Sequence, residues 1–413
     1  MEMSDYSFDA IHKDEIRLLS LLPVTNNDAI LIGELLTCWL PPEAGSSQDQ
    51  SSPAYTNDRE NAGGGYDAVS YHQGSDKKES AVYICVKDQP TNIIGKIQVP
   101  LNTELALKCF RALPPDVDLD YLWIDTICIN QDNHVEKGVQ IAKMAEIYRQ
   151  AKNVRVWLGE QTEKRLEAME FVESLNDFSR TEALTNDAQH VPKWVAFMDL
   201  MRCPYFSRRW VIQEVCLARS AYVHCGPSRI DWNRLRTAVG IFTKQAPRLK
   251  RMLKGDRRTG NNAEFLGDTD VLGAKTLVHL TDNIFRKIDG EIFDHLYSLE
   301  SLVSALIMFE TRNPYDLIYS ILWLAHDTTP SADPSAGYDR SAVPSRTASP
   351  TPPATSSSSD GSPTSQKSSS TLAGQQPVSL PKSSYQLICS RRLPLHSGLC
   401  LEVDVAQRDL THT

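Results

Sequence analysis

YLWIDTICINQDNHVEKG, residues 121–138, starts as one kind of structure and finishes as another. Its first half, YLWIDTICI (121–129), is rich in β-branched and aromatic residues and reads as a buried strand. From residue 134 the apolar positions change period. Val135, Val139 and Ala142 make one stripe, and Ile141, Met144, Tyr148 and Ala151 lie beside it, which predicts a helix over about 134–151. Asn133 and Glu136 have the spacing of a capping box at its start. NVRVWLG (153–159) is then a second compact buried strand. A strand, a helix and a strand in succession are the parts of a βαβ unit, whose strands run parallel.

The same alternation continues on both sides. Upstream, YDAVSY (66–71) and VYICV (82–86) are strand-like, and NTELALKCFRAL (102–113) places its apolar residues at helical spacing. Downstream come a charged helical stretch (163–178), WVAFMDLM, a helix through RRWVIQE (208–214) and a strand AYVHCG (221–226). The expectation is an α/β protein with a mostly parallel sheet flanked by helices on both faces. Ligands of such sheets bind beyond the carboxyl ends of the strands. That directs attention to Ser70 and Tyr71, to Asp125, and to Asn130, Gln131 and Asp132. A helical region follows at about 264–326, through LVSALIMFE and NPYDLIYSILWLAHD.

The chain divides accordingly. Residues 11–40 lead in, 41–65 form a low-complexity insert, 66–232 the α/β core, and 233–327 a helical region packed on it. Residues 328–383 are dominated by Ser, Thr, Pro and Ala and are expected to be a disordered linker, because they have little apolar surface to offset chain entropy. Residues 384–413 form a short tail. With 413 residues and a formal charge of −9, the chain has no global attraction for phosphate backbones, and no nucleic-acid partner is expected. The cluster Arg248, Lys250, Arg251, Lys254, Arg257 and Arg258 reads as a solvated segment. The N-terminus lacks the features of a signal peptide, and no apolar run is long enough to span a bilayer. The nine cysteines are scattered without zinc-ligand spacing, so no metal is expected and a cytoplasmic setting with reduced thiols is. Cys128, Cys216 and Cys225 sit in apolar contexts as core fillers. Trp123, Trp157, Trp210 and Trp232 are core candidates too.

RRWVIQE poses the chemical question. On a helix Trp210 and Glu214 sit one above the other. Glu214 either pairs with Arg208 or Arg209, or is a functional carboxylate whose charge is disfavoured by burial. Asp125 either takes a structural hydrogen-bond partner or holds a ligand hydroxyl. Asn130, Gln131 and Asp132 suit turns and helix caps as well as a ribose. Arg208 and Arg209 suit a pyrophosphate as well as solvent. Gly74 reads as part of a turn, and His72 either serves as a general base or is a loop histidine that is neither ligand nor catalyst.

Several blocks resemble a known family. YDAVSYHQG, NTELALKCFRAL, LWIDTICINQDN with EKGVQIAKMAEIYRQAKNVRVWLG, and PYFSRRWVIQEVCLARSAYVHCG occur in the order of the fungal heterokaryon incompatibility (HET) domain. IRLLSLLP and NPYDLIYSILWLAHD resemble its flanking segments. The resemblance implies a part in fungal nonself recognition that ends in programmed cell death, with self-association or other incompatibility proteins as partners. One position departs: the family's first motif usually reads S-Y-x-W-G, and here Gln73 stands where the tryptophan would be. The block order is similar, more distantly, to the TIR domain, which implies a TIR-like or flavodoxin-like sheet. It further implies cleavage of the nicotinamide–ribose bond of NAD. Under that likeness Glu214 is the catalytic carboxylate, Trp210 its helical neighbour and Asp125 the end of the second matched strand; Ser70, Tyr71, Asn130 and Arg208 join them as candidates for the crevice on position and chemistry. NAD would be substrate, and no resident cofactor is implied. The alternatives are a signalling module that works by assembly, without catalysis, and a degenerate inactive copy.

Overall fold

The computed structural model describes residues 3–23, 30–40, 65–255 and 273–328, apart from positions 76, 115–116, 118, 289–290, 312–313 and 315. The expected insert at 41–65 (save Gly65), the linker beyond Thr328 and the 384–413 tail lie outside the described residues.

β1 (Glu15–Leu21) and β2 (Leu31–Trp39) pair antiparallel. After β3 (Asp67–Tyr71) comes an antiparallel hairpin of β4 (Ser80–Val86) and β5 (Gln89–Val99), then helix α1 (Leu101–Arg111). β6 is Leu122–Trp123 and runs into a one-turn helix, α2 (Asp125–Cys128). Helices α3 (His134–Ala142) and α4 (Met144–Gln150) lead to β7 (Asn153–Trp157). Four helices then intervene: α5 (Glu163–Leu175), α6 (Phe178–Asn186), α7 (Val191–Met201) and α8 (Trp210–Cys216). β8 (Ala221–Cys225) and β9 (Ser228–Asp231) close the sheet, whose order is β5-β4-β2-β1-β6-β3-β7-β8-β9.

Its centre, β6-β3-β7-β8, is entirely parallel. In chain order these four are second, first, third and fourth, the winding of a flavodoxin-like sheet. The winding changes direction at β3, so the carboxyl ends of β3 and β7 mark the switch point where such folds bind ligands. β1, β2, β4 and β5 extend one edge as a mixed flank. The lead-in strand β1 is thus joined to the core sheet, through Leu19 opposite Leu122. VYICV is a strand of this flank and lies outside the parallel centre.

The expectation of a strand over 121–129 needs correction: only Leu122 and Trp123 pair. Ile124 is the extended residue before α2, and the Asp125 carboxylate accepts the Thr126 N–H at 2.8 Å. A short polar side chain that bonds its neighbouring amide competes with ladder pairing. Ile127 and Cys128 are fully buried as helix, and a short apolar run cannot tell the two states apart by period. The single helix expected over 134–151 is also two. α3 is mostly half-buried, whereas α4 buries Met144, Ala145, Ile147 and Tyr148, and the break at Lys143 lets each present its own face.

The capping box is half made. Asn133 Oδ1 accepts from Val135 N at 3.2 Å and Glu136 N at 3.1 Å. Glu136 is taken instead by buried Arg17, at 2.5 and 3.0 Å, and by Asn130 N at 2.9 Å. Arg17 also donates to the carbonyls of Cys128 and Asp9, so β1 staples down the loop after α2. Asn133→Ala is expected to lower unfolding free energy by about 1 kcal/mol in a denaturant titration, the usual loss for an N-cap.

The region after β9 contains α9 (Trp232–Gly255), α10 (Gly273–Asn283), a hairpin of β10 (Phe285–Ile288) and β11 (Glu291–His295), α11 (Leu299–Ala305) and α12 (Asp316–Tyr319). The hairpin was not anticipated by the helical reading. α10 packs closely on the 3-10 turn Pro204–Ser207: a Cβ at Gly273 would lie 2.1 Å from the Phe206 carbonyl oxygen. Trp123, Trp157 and Trp232 are buried in the core as expected, and Trp210 packs on it half-buried. Cys128, Cys216 and Cys225 are buried, as their apolar contexts implied. No helix among the described residues is long and apolar enough to cross a membrane.

Candidate functional site

Successive residues of a strand point to opposite faces, and the last two of β3 do so with different consequences. Ser70, fully buried, faces α4 and α8. Its hydroxyl donates to Glu214 Oε2 and lies 2.7 Å from the hydroxyl of Tyr205, in the 3-10 turn before α8. With the serine proton committed to the carboxylate, Tyr205 is the donor of the second bond. From α4, Tyr148 donates to the Val69 carbonyl at 3.0 Å. Val211, Ile212 and Val215 bury α8 against the protein, and Glu214 goes under with them at 3% exposure. Trp210 stands one turn earlier, as the spacing required.

Tyr71 turns to the other face. Its hydroxyl bonds Thr126, reaches Asp125 Oδ1 at 3.2 Å and accepts from Thr103 at 3.3 Å. The chain leaving β3 is fixed by Asn102, which donates to the His72 carbonyl at 2.5 Å and accepts from the Trp157 indole at 3.0 Å. Gly74, at φ +75°, then makes a turn in which its N–H bonds His72 Nδ1. Arg208, half-buried, donates to the Tyr71 carbonyl at the edge of the strand. Ser70, Tyr71, Asp125, Arg208 and Glu214 therefore gather at the carboxyl end of the central strand.

Burial pushes the Glu214 carboxyl up to about 7; nearby Arg208 and the Ser70 hydrogen bond pull it down, and Asp125 adds to the rise. The phenols of Tyr148 and Tyr205 are held well above their ordinary range, first by burial and then by Glu214. Glu214 is thus a carboxyl poised to change charge near neutral pH, with hydroxyls around it that stay protonated.

Other candidates have structural employment. Asp125 accepts from Thr126 N, Thr126 Oγ1 and Tyr71, which satisfies it without a ligand. Asn130 donates its N–H to Glu136 and its side-chain oxygen accepts from Asp132 N, and Gln131 donates to the Asp125 carbonyl: turn chemistry in both cases. The two arginines part company. Arg208 reaches the site, while Arg209 is buried and donates to main-chain carbonyls. Among the described residues neither forms an ion pair with Glu214. No group of residues fit to hold a metal ion occurs there either.

Residues 66–214 match the family model described as Heterokaryon incompatibility protein (HET). Over those residues the chain is similar to the HET domain. A relative from Neurospora crassa, "Heterokaryon incompatibility protein 6, OR allele", is 26% identical over 194 residues. That match covers 39% of this chain and 28% of the relative, so the chain spans well under a third of that protein's length. No solved structure matches the chain. The HET match begins at Tyr66, just before β3, and ends at Glu214 itself, so it takes in the whole parallel centre except β8.

Two clefts stand apart from the residues at the carboxyl end of β3. One, of about 490 Å³, is lined by Leu19, Leu21, Phe110, Leu113 and Leu122 at the amino ends of the parallel strands. The other, of about 350 Å³, includes Tyr83, Lys96 and Gln98 on the β4–β5 flank. Neither reaches Glu214. Sequence reasoning overlooked Tyr205, Thr103, Thr126 and Tyr148. Tyr205 lay inside the quoted PYFSRRW block, but it stands nine residues ahead of Glu214 in a separate turn, so helical spacing gave no signal for the pair.

Proposed function

We propose that this HET-domain protein acts in fungal heterokaryon incompatibility, a nonself recognition that ends in programmed cell death, and that it does so by hydrolysing NAD at Glu214. The observation that carries the reading is one buried carboxyl, poised near neutrality, at the carboxyl end of the central strand of a flavodoxin-like sheet. The TIR-like order of the blocks supports the substrate. In the reaction the C1′–N1 bond breaks and its electron pair goes to the nicotinamide nitrogen, which leaves neutral and needs no acid. Positive charge develops on the ribose, and an ionised Glu214 stabilises it. Water then adds to C1′ and loses a proton, giving ADP-ribose, nicotinamide and H⁺. Arg208 presents a guanidinium suited to the pyrophosphate. The protein would act in the cytosol, assembled with itself or with other incompatibility proteins. Assembly would supply the movement that opens the buried acid to NAD.

Because the ionised form is the working one, kcat/KM is expected to rise tenfold per pH unit below about 7 and level off above it. A flat profile from pH 5 to 8, measured on purified protein at high concentration, would remove Glu214 from the rate-determining chemistry. The second reading is an assembly module without catalysis. It is favoured by the 3% exposure of Glu214 and by clefts that open elsewhere. Complete absence of NAD consumption by assembled protein would decide for it.

A further inference from the structure

Arg209 is 1% exposed and sits next to the one arginine that reaches the site. Its guanidinium makes no ion pair among the described residues. It donates to the Leu306 carbonyl at 2.6 Å and twice to the Leu317 carbonyl, at 2.7 and 3.1 Å. The segment bearing those carbonyls is also tied to the main chain ahead of α8. Arg209 N donates to Glu310 O at 3.1 Å, Glu310 N donates to Ser207 O at 2.7 Å, and Arg208 and Glu310 form a parallel bridge. One turn further along, Gln213 in its favoured amide orientation donates to Ser320 O at 3.1 Å and accepts from Ala145 N at 2.9 Å. Residues 207–213 are thereby strapped by Leu306, Glu310, Leu317 and Ser320, and Glu214 follows directly.

A buried guanidinium without a carboxylate is an expensive way to join two segments, and burial alone pulls its pKa down to about 10. What it provides is geometry: a rigid fork that fixes two carbonyls of a distant segment relative to the start of α8. We infer that Arg209 is a positioning residue for Glu214, and that segment 306–320 is an integral part of the site rather than an appendage to the HET domain. The unit that holds the site then runs past the matched residues 66–214 to at least Ser320. The functional weight of this inference rests on the reading of Glu214 given above, but its physical content does not.

The charged and titratable groups that face Glu214 are Arg208 from its own stretch, Asp125 from α2, Tyr148 from α4 and Tyr205. Loosening the strap exposes the carboxyl to water, and burial is the largest influence on it. The test uses the full chain carrying ¹³C-labelled glutamate carboxyls, with the Glu214 resonance assigned by its loss in Glu214→Gln. In Arg209→Lys, which keeps the charge and loses the fork, its titration midpoint is expected to fall by about one unit or more, toward the ordinary value of 4.5. An unchanged midpoint in folded Arg209→Lys overturns the inference. Should that variant fail to fold, Gln213→Met leaves Arg209 in place and removes the bonds to Ser320 O and Ala145 N, and the same two outcomes apply. In the unmodified chain, the amides of Arg209 and Glu310 are expected to exchange hydrogen together with those of α8; faster, independent exchange at Glu310 would also overturn it. NAD takes no part in these measurements. An inactive protein whose Glu214 titration moves keeps the strap and loses the hydrolase. An active one whose titration stays put does the reverse.

Discussion

Glu214→Gln is expected to abolish NAD hydrolysis and, in the same molecule, to raise stability above pH 7. Loss of the carboxylate removes the charge opposite the developing oxocarbenium ion, and a fall of about a thousandfold or more follows, equivalent to ~4 kcal/mol. The stability effect has the opposite sign. The folded protein holds the Glu214 proton up to about 7, while the unfolded chain releases it near 4.5. A raised carboxyl contributes stability that is complete below the unfolded value and disappears as pH rises through the folded one. The gap corresponds to about 3 kcal/mol at pH 8. Glutamine has no proton to lose, so the difference between variant and wild type is expected to be small at pH 4.5 and to grow to that figure at pH 8. Urea unfolding at the two pH values measures it. If the wild type is instead the more stable at pH 8, an ion pair holds the carboxylate and Glu214 is a structural acid. The pairing of activity with instability is what distinguishes a functional buried charge from a packing residue.

That Glu214 was visible in the sequence, and the parts played by Tyr205 and Arg209 were not, has a physical basis. Helical spacing puts Trp210 and Glu214 on one side of α8 from local geometry alone. The period-2 alternation of YDAVSY likewise places Ser70 and Tyr71 on opposite faces before any partner is known. The parallel centre could be read because βαβ units repeat a local pattern. The flank could not: β1 and β2 join β6 through one pair, Leu19 with Leu122, and β4 lies parallel to β2 across a long excursion of chain. Such pairings leave no periodic mark. The same holds for the site. Asp125 looked like a strand-end ligand because YLWIDTICI is apolar throughout, and only its bond to the next amide showed a helix starting there. RRWVIQE gives two adjacent arginines equal claims on Glu214. What separates them is the stretch bearing Leu306 and Leu317, almost a hundred residues later, which takes one and leaves the other at the carboxyl end of β3.

The largest loss of stability is expected from the other end of β3. Asp67 and Arg155 are paired at 2.6 Å across β3 and β7, each side chain 2% exposed. Asn153 adds two donors to Asp67, through its main chain at 3.1 Å and its side chain at 2.9 Å. Even so, burial outweighs the pull of Arg155 and raises the Asp67 carboxyl above its ordinary value. The pair therefore does little more than offset its own desolvation, and one guanidinium nitrogen, Nη1, has no partner. Nearby His224 gives no relief: burial and then Arg155 push it down to about 3, so it stays neutral. Arg155→Met should lower unfolding free energy by about 3–5 kcal/mol at pH 7, because Asp67 is left charged in the core. In that variant the loss of Arg155 lifts Asp67 further, and its proton restores stability as the pH falls toward the unfolded value of about 3.9. The deficit should therefore shrink by pH 5. Asp67→Asn leaves the guanidinium unpaired and should be comparably damaging at either pH. The double variant Asp67→Asn/Arg155→Met removes both charges and should be less damaged than the two losses added together by about 2 kcal/mol or more. Simple additivity would mean that the two side chains act on stability separately despite their contact. The pair lies at the amino ends of the strands whose carboxyl ends carry Ser70 and Trp157. Turnover per folded molecule should thus survive these substitutions while the folded population falls, which is the converse of Glu214→Gln.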